Sequence, residues 1–127
     1  MVETSSFRRA KDDPRCVAIS ARVPNGYSGR RCKKLAPPYW MVKKSKSGEM
    51  TDEEFEREFK RCVLEKMDAR EILEEIGDDA ILLCWEKPGE FCHRTQVGEW
   101  LSRELGIEVK ERESHHKTRK ARQTTLG

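Results

Sequence analysis

The run AILLCW, residues 80–85, is the longest fully apolar stretch of the chain, with two aspartates before it and the turn-forming KPGE close behind. A run this short and this apolar suits a strand covered on both faces, the condition of a central strand in a parallel sheet. It is far too short to cross a membrane as a helix, and no membrane partner is expected. The rest of the chain has to supply neighbours for that strand and helices for its two faces.

Upstream, Cys16–Ile19 in RCVAISARVP is a second short apolar run, closed by Pro24, and reads as another buried strand. Thr51 with Glu54, and Asp68 with Glu71, have the spacing of helix capping boxes. Phe55, Phe59, Cys62, Val63 and Met67 recur at helical intervals after the first box. Ile72, Leu73 and Ile76 do so after the second, with Gly77 placed as a C-terminal cap. Helices are therefore predicted over about 52–66 and 68–77. From His93 onward, Val97, Trp100, Leu101 and Leu105 predict another amphipathic helix closed by Gly106, and Ile107 with Val109 opens a brief strand. Strands alternating with helices mean parallel pairing and right-handed crossovers. The fold class expected is α/β: a small, mostly parallel, Rossmann-like sheet in one domain spanning residues 14–111.

Three stretches lie outside that pattern. Residues 1–13 lack an apolar signal segment and are expected to be a flexible N-terminus. The segment after Pro24 reads as a long basic loop broken only by the apolar patch Tyr39–Val42. Residues 112–127 read as a disordered basic tail. With 127 residues, 35% hydrophobic and 39% charged, the core is small and one domain is enough. A net charge of +3 names no partner, but residues 30–46 carry Arg30, Arg31, Lys33, Lys34, Lys43, Lys44 and Lys46 without one acid. Five cysteines, an odd number in a chain without a secretory segment, point to thiols and a cytoplasmic location.

The candidate site follows from the ends of the two best strands. Ligands of an open parallel sheet bind beyond the carboxyl ends of its strands. One strand leaves through SARVP and the other through CWEKPGEFCHR, so Arg22 and the triplet Cys92, His93 and Arg94 face one crevice if the strands are neighbours. A helix N-terminus with arginines nearby favours an anion. Cys92 there is a candidate nucleophile with a lowered pKa, and His93 a candidate acid or base. Arg22 and Arg94 would hold the anion, with Arg30, Arg31, Cys84 and Glu86 as further substrate-binding candidates.

Plainer roles exist for the same residues. Cys84 suits a small core hydrophobe, Cys92 the mere start of a helix, and His93 a cap or an ion pair. Phosphatase and sulfurtransferase loops place five residues between thiol and arginine, whereas nine lie between Cys84 and Arg94 and one between Cys92 and Arg94. Cys84, Cys92 and His93 fall one short of the four ligands of structural zinc, and no metal is expected. No Walker loop or dinucleotide fingerprint is present, and no cofactor is expected.

ISARVP, AILLCWEKPGEFCHRTQVGEWL and GIEVKE together resemble the DUF488 family (domain of unknown function 488) over about residues 15–111. The resemblance implies the α/β fold and falls on Arg22 and Pro24 in one block and on Cys84, Glu86, Pro88, Cys92, His93 and Arg94 in the other. Many members begin with a further strand and a Gly-His-Ser-like turn, neither of which is evident in this chain's opening residues.

Two functions compete. One is an enzyme acting on a phosphate-bearing small molecule such as a nucleotide. The other is nucleic-acid binding by the basic segment 27–46, with Tyr27, Tyr39 and Trp40 among its cations, and by the basic tail. A third reading takes Gln123 and Leu126 in RKARQTTLG as part of a peptide for the replication sliding clamp, although the paired aromatics of such peptides are missing.

Overall fold

The computed structural model describes residues 1–85 and 93–112. The tail reading, Gln123 and Leu126 included, lies outside them. The chain runs through β1 (Val2–Ser6), α1 (Phe7–Ala10), β2 (Cys16–Ala18), β3 (Arg30–Arg31), α2 (Tyr39–Lys46), α3 (Asp52–Cys62), α4 (Ala69–Ile76), β4 (Ile81–Cys84), α5 (His93–Leu105) and β5 (Val109–Glu111). The strands form one sheet in the order β3-β2-β4-β1-β5, and every pair is parallel. This is the Rossmann-like α/β arrangement that the alternation of elements predicts. No helix among the described residues is long and apolar enough to cross a membrane.

β4 takes the central place for the reason its sequence gives. All four of its residues are buried, with Leu82 packed on one face of the sheet and Ile81 and Leu83 on the other. Burying each such leucine contributes roughly 1.5–3 kcal/mol. β2 lies directly beside it, with Cys16, Val17 and Ala18 opposite Ile81, Leu82 and Leu83. On the Leu82 face sit α2, α3, α4 and α5, which contribute Met41, Phe59, Ile76 and Leu101. On the Leu83 face the cover is smaller: Phe7 and Ala10 of α1, with Val23 and Tyr27.

The helix ends form as the capping residues require. Thr51 Oγ1 accepts from the Glu54 amide at 3.1 Å, and the Glu54 carboxylate accepts from the Thr51 amide at 2.8 Å. Asp68 accepts from the amides of Arg70 and Glu71. Gly77 ends α4 with φ at +91°, a backbone conformation that favours glycine.

Two expectations need correction. Residues 1–13 are no flexible N-terminus: β1 lies between β4 and β5 near the middle of the sheet, and α1 follows at once. Its sequence, VETSS, hides this because Thr4, Ser5 and Ser6 are buried polar residues on an otherwise apolar scaffold. The hydroxyls of Thr4 and Ser5 are tied to the far end of the sheet's last strand, Thr4 Oγ1 donating to Glu111 at 2.6 Å and Ser5 Oγ to the Arg112 carbonyl at 3.3 Å. The basic segment is likewise no loop throughout. Arg30–Arg31 pair with β2 as an edge strand, and Pro38 caps α2, a position where the missing amide proton costs nothing.

Candidate functional site

Because all strands are parallel, their carboxyl ends share one edge: Ser6, Ala18, Arg31, Cys84 and Glu111. β1 continues into α1 on the Leu83 face, while β4 is followed by α5 on the Leu82 face. Neighbouring strands whose connections depart to opposite faces open a crevice between their carboxyl ends, the place where such sheets bind ligands. Here that crevice lies between Ser6 of β1 and Cys84 of β4, which are paired in register.

One wall is a closed polar cluster. Arg94, in the first turn of α5, is only 1% exposed. Its Nε and Nη2 donate to the two carboxylate oxygens of Glu111 at 3.1 and 2.9 Å, and its Nη1 donates to Cys84 Sγ at 3.2 Å. A buried guanidinium needs such a two-pronged partner to offset its desolvation. Glu111 also accepts from Thr4, so the cluster joins β1, β4, α5 and β5.

His93, one residue earlier, is buried beneath β2: its Nε2–H donates to the Ile19 carbonyl at 2.7 Å, and its ring meets Phe59 edge-on at 5.4 Å. Burial, with the Arg94 charge adding to it, pushes its pKa down to about 4, so it is neutral at pH 7. Cys84 is disulfide-bonded, whereas Cys16, Cys32 and Cys62 are free. That corrects the expectation of thiols throughout.

The other wall is aromatic. Trp85, directly after β4, is 51% exposed. Its indole Nε1 donates to the Arg22 carbonyl at 2.9 Å, and its ring lies 5.1 Å from that of Phe7, which meets Tyr27 edge-on at 5.4 Å. The Arg22 carbonyl also accepts from Ser20 Oγ, so the turn after β2 is held while the Arg22 residue is exposed. Arg8 and Arg9 follow Phe7. The Nη1 atom of Arg9 is buried with no hydrogen-bond partner among the described residues.

The candidates thus divide. Arg22, Cys84, His93 and Arg94 come to the same end of the sheet. Arg30 and Arg31 are exposed on the edge strand, where Arg31 Nη2 donates to the Ala21 carbonyl at 3.1 Å. Arg30 also lines a cavity of about 370 Å³ with Lys11, Asp13 and Gly29, near the amino end of β2. Glu86, Pro88 and Cys92 lie outside the described residues. Sequence reasoning missed Glu111, Trp85, Arg8 and Arg9. Only the FRR that follows VETSS signalled the last two, and it reads as a strand exit once β1 is known.

A family model described as the active DUF488-N3 subclade (DUF488-N3a) matches residues 2–105. The chain belongs to the DUF488 family. For this DUF488 protein, the match starts at the first residue of β1 and takes in α1, the two elements with no apolar pattern of their own. No curated protein and no solved structure matches it.

Proposed function

We propose that this DUF488 protein binds a phosphate-bearing small molecule in the crevice between the carboxyl ends of β1 and β4, and acts on it as an enzyme. One observation carries the reading. The segments that leave the carboxyl ends of β1 and β2 (residues 7–11 and 19–29) carry Arg8, Arg9, Lys11 and Arg22 and no acid. Arg94 and Lys34 are neutralised by Glu111 and Glu75. Arg8, Arg9 and Arg22 have no ion pair among the described residues, and the orphaned Arg9 nitrogen is where an anion restores the missing bond. The description of the matching family model as an active subclade supports catalysis. In this reading His93 is a positioning residue that fixes the start of α5. Calorimetric titration of pyrophosphate into the full chain tests the anion site. Arg22→Ala and Arg9→Ala should each weaken binding about tenfold, equivalent to about 1.4 kcal/mol, and binding indifferent to both substitutions rules the site out.

A second reading, nucleic-acid binding, is favoured by α2. Tyr39 and Trp40 are exposed there, and Lys44 Nζ lies 5.9 Å from the centre of the Trp40 ring, an aromatic and cationic pairing of the kind that binds single strands.

A further inference from the structure

We infer that Trp85 is a stacking platform, so that the ligand of the crevice is a nucleotide: a phosphate carried by a planar heteroaromatic base. The inference rests on the anion reading above and adds the identity of the group attached to the phosphate.

Trp85, at the carboxyl end of β4, is 51% exposed and so presents aromatic area to the crevice edge. Trp85 is also held still. Its indole N–H is fixed on the Arg22 carbonyl at 2.9 Å, and Phe7 backs it at 5.1 Å with a tilt of 59° between the rings. Phe7 is itself buried and braced by Tyr27. With its polar atom satisfied and one side supported, the indole offers a rigid ring surface without further loss of side-chain freedom, which is what makes stacking productive.

The neighbours set the ligand's other half. Arg22 supplies the carbonyl that orients the indole, and Arg8 and Arg9 follow the phenylalanine that backs it. A ring surface held by segments that carry Arg8, Arg9 and Arg22 and no acid fits a base joined to a phosphate better than an uncharged aromatic compound or a bare sugar phosphate.

The test compares adenosine 5′-monophosphate with ribose 5-phosphate, which keeps the phosphate and lacks the base. Both are titrated into the full chain and into Trp85→Leu and Trp85→Phe, with folding checked by circular dichroism. Leucine keeps an apolar contact with Phe7 without an aromatic face, and phenylalanine keeps a smaller one. The nucleotide should bind the wild type about tenfold more tightly than ribose 5-phosphate. That preference should vanish in Trp85→Leu, survive in part in Trp85→Phe, and leave ribose 5-phosphate affinity unchanged in both. Equal affinity of the two compounds for the wild type, or a preference that persists in Trp85→Leu, overturns the stacking assignment alone. Failure of both compounds and of pyrophosphate to bind overturns the anion site and this assignment with it.

Discussion

His93 shows how burial reassigns a residue that sequence puts forward for chemistry. An imidazole beside Cys92 and Arg94 suggests an acid or base, but Nε2 is spent on the Ile19 carbonyl and the ring is enclosed. In the unfolded chain its pKa is near 6.5, and in the fold it is about 4. As pH falls below about 6.5 the unfolded state takes up a proton that the native state refuses, so stability declines by up to about 1.4 kcal/mol per pH unit until about pH 4. The total is about 3 kcal/mol. His93→Gln keeps a donor for Ile19 and should remove most of the slope between pH 6.5 and 5, before carboxylates begin to titrate; urea midpoints across that range would show it. Residue types and chain order were enough to bring Cys84, His93 and Arg94 to one end of the sheet. Glu111 was not legible, because it lies 17 residues beyond Arg94 in KERE, among acids that nothing local distinguishes.

At the level of elements, legibility followed the strength of local signals. α3 and α4 announced themselves through their caps, α5 through its apolar stripe, and β2 and β4 through apolar runs. β1 had no such pattern, since its burial is imposed by strands far along the chain, and α2 was hidden by the two prolines before it. The seat of α5 on the sheet depends on Gly98: a Cβ there would lie 3.0 Å from Val109 Cγ1 and 3.4 Å from Thr4 Cγ2. Gly98→Val should therefore lift α5 from β1 and β5 and cost about 2–3 kcal/mol by overpacking. Since β5 carries Glu111, amide exchange should quicken at Val109–Glu111 together with the drop in melting temperature. An unchanged β5 would mean that the helix tolerates the added volume by shifting elsewhere.

For the whole molecule, parallel architecture was legible because it needs only the alternation of elements, whereas the order of the strands was not, because it depends on β1. The charge map is uneven in the same way. Lys43, Lys44 and Lys46 lie on α2, a different element from those that carry Arg8, Arg9 and Arg22. If α2 binds nucleic acid, log affinity for a single-stranded oligonucleotide should fall with log salt at a slope of about −2 to −3, for three or four phosphates neutralised. Replacing Lys43 and Lys44 by alanine should flatten that slope by about 1.4, without altering pyrophosphate binding in the crevice. A flat slope in the wild type removes nucleic acid from consideration.

The placement of β1 also governs how the molecule assembles. Thr4 meets a partner 107 positions away, and β1 pairs in register with Ile81–Cys84 on one side and Val109–Glu111 on the other. Closing such distant loops costs entropy before any contact rewards it, which makes the event slow. Helix pairs can form early from local contacts, but the crevice exists only after β1 has met β4, so acquisition of the proposed pyrophosphate binding should coincide with the last and slowest step of refolding.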